Sequence, residues 1–102
     1  MYPRQYIKGF AISRPKIAEF FEIEPHSPME ESIIHETIRW LDRDAFMFVG
    51  CGIKDGTRRL VIVLDVDYDE DVLKRRPSKP LSPSLNAVLP VLDGPDIWER
   101  TA

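Results

Sequence analysis

Asp65, Asp67 and Asp69 alternate in the sequence, so along a continuing strand their carboxylates project to one side, where clustered oxygen ligands suit a hard cation such as Mg²⁺ or Ca²⁺. The spacing matches the opening of a calcium-binding loop and then departs from it. The sixth position is Glu70 where that loop turns on glycine, and the twelfth is Arg76 where glutamate completes the coordination. We therefore expect no metal here, and read the run as a solvated strand end leading into a capped helical turn.

Gly50-Cys51-Gly52 places the chain's single thiol between two residues that permit close approach by another group. With His35 it could form a Cys/His nucleophilic pair. A free cysteine inside an apolar strand is more often structural, and we expect Cys51 to be so. The glycines are expected to mark a bulge or a helix packed close to the sheet. Two histidines, His26 and His35, and one cysteine without paired ligand spacing do not make a zinc site. No phosphate-cradling glycine loop and no Ser-His-Asp signature is present, so we assign no catalytic residue and no cofactor.

The third pattern is Lys74-Arg75-Arg76-Pro77-Ser78-Lys79-Pro80, in which Lys74, Pro77 and Pro80 fit a basic residue followed by PxxP, the form that aromatic grooves dock as polyproline. A semi-rigid linker needs the same residues. Ser78 and Ser82 are candidate phosphorylation positions in a eukaryotic host, where added negative charge would reverse the local balance.

These groups must be held by a small scaffold. At 102 residues the chain has the size of one domain, and 43% hydrophobic with 30% charged residues is the balance of a globular protein. Gln5 to Ile12 reads as a strand. Ser13-Arg14-Pro15 opens a short helix, with Ile17, Phe20 and Phe21 at helical spacing and an end before Pro25. Ser27-Pro28-Met29-Glu30 is a capping box for a second helix over residues 28–42, whose stripe is Ile33, Ile34, Thr37, Ile38 and Leu41.

Phe46 to Ile53 and Arg58 to Tyr68 read as strands joined by a turn on Asp55-Gly56. On the second strand Leu60, Ile62, Leu64, Val66 and Tyr68 should face the core. Val61 and Val63 lie on the opposite face, which is apolar only in its middle and so needs a cover, either the C-terminal arm or another subunit. Residues 69–76 suit one or two helical turns, with acids first and bases last. Prolines 77, 80 and 83 form an extended connector. Beyond it Ser82-Pro83 starts a further helical stretch through Leu85, Val88 and Leu89, and Gly94-Pro95 is expected to break the chain before Ile97 and Trp98.

The fold expected is thus α+β: a small single domain with two N-terminal helices on an antiparallel, hairpin-based sheet and a proline-tethered C-terminal arm. Residues 1–76 form the core domain, 77–84 the connector, and 85–102 an arm that docks on the core or on a neighbouring subunit. The net charge of −3 argues against general nucleic-acid binding, and no apolar run approaches the roughly 20 residues that span a bilayer. MYPRQYIKGF has no basic region followed by an apolar run, and one cysteine suits a reducing compartment, so we expect a cytoplasmic protein, or a nuclear one in a eukaryote.

Two functional readings follow. The preferred one is a non-catalytic protein–protein interaction or assembly module, self-associating as a homodimer or binding another protein, with Val61, Val63, Leu85, Val88, Leu89 and Trp98 at the interface. The alternative is a small enzyme or ligand-binding protein with a pocket between helix 28–42 and the hairpin 46–68, using Cys51, His35 or Asp65.

Overall fold

In a computed structural model, which describes residues 3–42, 48–77 and 80–101, four strands and four α-helices form an α+β arrangement in which helices come in pairs between strands. The order is β1 (Tyr6–Ile12), α1 (Arg14–Phe20), α2 (Pro28–Asp42), β2 (Phe48–Lys54), β3 (Thr57–Asp67), α3 (Glu70–Arg75), α4 (Pro83–Val88), a single 3₁₀ turn (Leu89–Val91) and β4 (Leu92–Thr101). Phe46, one end of the expected first hairpin strand, lies outside the described residues.

Local chemistry sets most boundaries. Ser13, Asp69 and Ser82 accept from the backbone N–H groups of Lys16, Asp71 and Leu85 and so cap α1, α3 and α4. Asp55 and Gly56 both take positive φ (52° and 77°), the pair of values a two-residue hairpin of the right twist requires. The expected capping box of α2 forms differently. Glu30 turns back to accept from the His26 N–H at 2.9 Å, its other oxygen is taken by Arg14 at 2.7 Å, and the Ser27 hydroxyl finds no partner among the described residues. A cation from α1 overrides the local motif.

The hairpin does not stand as an open sheet. All neighbours are antiparallel, in the order β1-β3-β2-β4, and β4 pairs with both β2 and β1, closing a four-stranded barrel. The C-terminal arm is therefore a strand of its own chain's barrel. Gly94-Pro95 does not end it: these two residues oppose Phe10 alone, between the pairs Gly9–Asp96 and Ala11–Asp93, and form a bulge through which the strand continues.

A second irregularity corrects the expected faces of β3. Lys8 pairs with Asp65 and Gly9 with Val63, so Leu64 is an extra residue and the alternation slips there. Leu60, Ile62 and Leu64 pack outward against the helices, whereas Val66 joins Val61 and Val63 in the barrel, and Tyr68 is exposed.

The interior explains Gly50 and Gly52. An eight-stranded barrel is just wide enough to be filled by side chains, so four strands leave far less room. Ile7, Ala11, Val61, Val63 and Trp98 occupy it. A Cβ on Gly52 would lie 2.5 Å from Trp98 Cβ, and one on Gly50 would sit 3.4 Å from Val63. The two glycines thus clear space for side chains inside the barrel, not for a helix or a bulge. Gly9 is tighter still, with a Cβ there falling 1.9 Å from the Ile62 carbonyl oxygen.

Outside, Phe10, Ile12 and Ile62 of the barrel meet Ile17 of α1, Ile34 and Leu41 of α2, Leu85 of α4, and Val91 and Leu92 in a second, larger core. α3 adds the fully buried Leu73 against β1, β3 and β4.

Candidate interaction surface

The residues expected to carry chemistry are dispersed. Asp65 and Asp67 are bridged by Arg76, which donates to Asp65 at 2.7 Å and also to Asp67. Asp67 further accepts from the Asp69 N–H, and this bond, followed by Arg76, holds its carboxyl below the usual carboxylate range. Asp69 is spent on capping α3. Among the described residues no group of three or more His, Cys, Asp or Glu side chains could hold a metal ion.

Cys51 is half-buried on the outside of β2, in a shallow depression shared with Arg4 and Arg100. Those cations are engaged with Glu99 and with the Gln5 side-chain amide oxygen Oε1. His35 is exposed on α2 and His26 in the loop before it. A cleft of about 500 Å³ does lie between α2 and the hairpin, but its walls are Arg14, Arg58, Arg59, Ile34, Leu60 and Asp93. Cys51, His35 and Asp65 do not line it.

The residues expected at an interface are placed as follows. Val61, Val63 and Trp98 fill the barrel and Leu85 the helical core, all within one chain. Leu89 is partly buried against the same core, and Val88 is half-buried at its edge. In the peptide motif, Lys74 pairs with Glu70 at 3.5 Å, and Pro77 and Pro80 are exposed, while Ser78 and Lys79 lie outside the described residues.

A different surface collects apolar side chains in the open. α2 buries Ile34, Thr37 and Leu41, with the Thr37 hydroxyl donating to the Ile33 carbonyl at 2.8 Å. Its next edge, Ile33, Thr37 and Trp40, follows at spacings of four and three and faces α4. There Trp40 Nε1 donates to the Ser84 carbonyl at 3.3 Å, and a groove of about 440 Å³ opens, lined also by Phe21, Ala87 and Val88 and by the polar Ser32, Glu36 and Arg39. Trp40 is 44% exposed, and Phe20 and Met29 are each 58% exposed. Phe20 stacks edge-on against Phe21 with ring centroids 5.1 Å apart.

The sequence carries a signal for these aromatics: Trp40 lies seven residues beyond Ile33, so the apolar stripe of α2 is wider than the buried face requires, and Phe20-Phe21 ends a helix whose inward residues are Ile17 and Ala18.

The electrostatics around this layer are mostly settled in pairs. Arg14 joins Glu30 and Glu31, and that bond with the Arg14 guanidinium, helped by the His26 N–H, holds the Glu30 carboxyl below its ordinary range. Lys16 and Arg59 share Asp93, whose carboxyl is lowered first by Lys16 and then by Arg59. Among the described residues no helix is long and apolar enough to cross a membrane. No protein-family model, curated protein or solved structure matches the chain.

Proposed function

We propose that this protein is a non-catalytic protein–protein interaction module that receives its partner in the groove between α2 and α4. The observation that carries the reading is the pair of exposed aromatics, Trp40 and Phe21, that line that groove. Tryptophan is among the residues most enriched where binding energy concentrates, and a contiguous apolar surface left in water marks a contact site. The expected surplus on Val61, Val63 and Trp98 is satisfied inside the chain, so the contact surface moves to the helical layer and keeps only Val88 of the interface residues expected from the sequence. Cys51 is a free thiol, which suits a reducing compartment, and we place the module in the cytoplasm.

Site-specific photocrosslinking tests this. A crosslinking residue at Ser32, on the groove rim, should give a discrete protein adduct in host cells that is absent with the same residue at Asp55 on the hairpin turn. The identified partner, purified, should bind about tenfold or more weakly to Trp40→Ala. Equal adducts from both positions, or an affinity indifferent to Trp40, would reject the groove.

A second reading, small-ligand binding, is favoured by the 500 Å³ cleft carrying Arg14, Arg58 and Arg59, a volume within the range of ligand sites. Arg14 and Arg59 already face carboxylates, and Arg58 has no ion pair among the described residues. Ligand-observed NMR with small carboxylates and phosphates checks this reading, which requires a signal that Arg58→Ala abolishes.

A further inference from the structure

We infer that a cavity between the barrel wall and the proline connector binds a small uncharged ring compound bearing one hydroxyl group. The cavity holds about 240 Å³, shares no lining residue with the α2–α4 groove or the arginine-lined cleft, and is more enclosed than either. Its apolar lining comes from Phe10, Leu64 and Pro95 of the barrel and from Pro77 and Leu81 of the connector. Lys8 and Asp65 supply the charged side chains of the lining among the described residues.

Both irregularities of the barrel open onto this space. In a regular strand Leu64 and Asp65 would point to opposite faces; the extra residue between the Lys8–Asp65 and Gly9–Val63 pairs lets both line one cavity. Pro95 belongs to the second bulge, the one opposite Phe10. Bulges re-aim side chains and are concentrated beside functional sites. Here two of them, on different strands, converge on the same stretch of β1 and set a polar pair beside an apolar wall.

Size and lining select the occupant. An apolar cavity of about 150 Å³ accepts benzene, so 240 Å³ suits a ring with a short substituent and is smaller than the sites that hold drug-sized ligands. The lining carries one cation and one anion, which are cross-strand partners, so a ligand of either sign would leave it unbalanced in apolar surroundings. The hydrogen bonding of this pair is incomplete. Lys8 Nζ donates to the Arg76 carbonyl at 3.4 Å and to nothing else among the described residues, which leaves it N–H groups to give. Asp65 accepts from Arg76 at 2.7 Å and from the Val66 N–H at 2.9 Å, both on Oδ1, and its Oδ2 has no donor among the described residues. A hydroxyl answers both needs, accepting from Lys8 while donating to Asp65.

The test is amide-resolved NMR of the full chain titrated with benzyl alcohol, with benzoate and benzylammonium as charged counterparts of similar size. Benzyl alcohol should shift the Gly9, Leu64 and Leu81 amides saturably, with a dissociation constant of about 1 mM, and the two ions should bind about tenfold more weakly or less. Leu81→Trp, which places a larger side chain in the cavity, should abolish the binding. Lys8→Met keeps an unbranched stem and removes the donor, so it should weaken benzyl alcohol about tenfold; it lies on the outside of the barrel and decides the matter where Leu81→Trp perturbs the fold, as judged by circular dichroism.

Equal binding of benzoate or of benzylammonium would overturn the ligand class, because the lining would then not act as a balanced pair. Shifts centred on Trp40 or on Arg58 would put the ligand in the groove or the cleft and overturn the site. So would the absence of any saturable shift, or an affinity for benzyl alcohol that Lys8→Met leaves unchanged.

Discussion

The chain has two tryptophans, and they stand in opposite surroundings. Trp98, 4% exposed, sits in the barrel across from Gly52, where even a methyl group has no room; Trp40, 44% exposed, lies along a groove between two helices with space beside it. A four-stranded barrel fixes every inward position by sheet pairing and fills its interior from a handful of residues, so each one is structural. The helical layer buries one stripe of α2 against the barrel and carries a second apolar edge that its own fold covers only in part. Apolar residues of the same type therefore serve the fold on one side of the molecule and are available to a partner on the other.

The largest effect that would test this contrast is Trp98→Ala. Truncating a buried tryptophan costs about 3–5 kcal/mol, and the upper part of that range is expected because Gly50 and Gly52 offer no side chains to collapse into the space. Trp40 is covered over only about half its surface, so Trp40→Ala should cost about 1–2 kcal/mol, from lost packing and the bond to Ser84, well below Trp98→Ala. Urea denaturation of both variants measures the difference. Similar losses at the two positions would mean that Trp40 is part of the fold, and the argument for a docking surface would fall with it.

Next in size are the glycines. Gly52→Ala drives a Cβ to 2.5 Å from Trp98 and should cost about 1–3 kcal/mol, whereas Gly50→Ala makes ordinary contact with Val63 at 3.4 Å and should be tolerated. Thermal melts of the two variants order them directly. If Gly50→Ala were the worse of the pair, Trp98 would not be what sets the space in the barrel.

How far these positions could be read from sequence depended on how local their causes are. The Asp55-Gly56 turn and the caps at Ser13, Asp69 and Ser82 are decided within a few residues, and each formed where its motif stood. Closure of the barrel is not local. It joins Tyr6–Ile12 to Leu92–Thr101 across nearly the whole chain, and Gly94-Pro95, which has the composition of a break, serves as a bulge because Phe10 opposes it. Leu64 reversed the expected side of Val66 for the same reason, since nothing along the strand reveals an extra residue that only its partner defines. The candidate groove was half visible: the spacing of Ile33, Thr37 and Trp40 is written in α2, but α4, which makes the other wall, arrives from beyond the proline connector.

Acid should separate the two regions more gently. Glu30, Asp93, Asp96 and Asp67 all have carboxyl pKa values below the ordinary range, caused first by Arg14, by Lys16, by Lys54 and by the Asp69 N–H respectively. Each group binds its proton less readily in the folded chain than in the unfolded one. The stabilisation is therefore complete above the unfolded carboxylate range, near pH ~4, and is lost as pH falls through the lowered folded values. Tm should be flat between about pH 7 and 5 and drop below about pH 4. Glu30→Gln should melt below the parent at neutral pH, with the gap narrowing in acid as the parent's Glu30 also becomes neutral. A gap that stays constant down to about pH 3 would show that the Arg14–Glu30 charge pair contributes nothing to holding α1 on α2.

The smallest effect is expected one residue from the large one. Cys51 lies between Gly50 and Gly52, yet strand alternation turns it out of the barrel while they face in. Its neighbours across the ladder are Leu60 and Thr101, and it is half-buried at the surface, so Cys51→Ser exchanges one small side chain for another without opening a cavity. The change should stay within about 0.5 kcal/mol in urea denaturation, against the larger loss at Gly52 beside it. The same geometry bears on reactivity. Arg4 and Arg100 share the depression, but one faces Glu99 and the other Gln5, and His35 is exposed on α2, outside that depression, so among the described residues no histidine lines the depression beside the thiol. Native Cys51 should therefore be alkylated by iodoacetamide at neutral pH no faster than a cysteine in an unstructured peptide. Alkylation much faster than that reference, retained when His35 is replaced by alanine, would mean that the arginines activate the thiol and that the outer face of β2 carries chemistry after all. Alkylation at the peptide rate leaves the helical groove as the surface on which function should be sought.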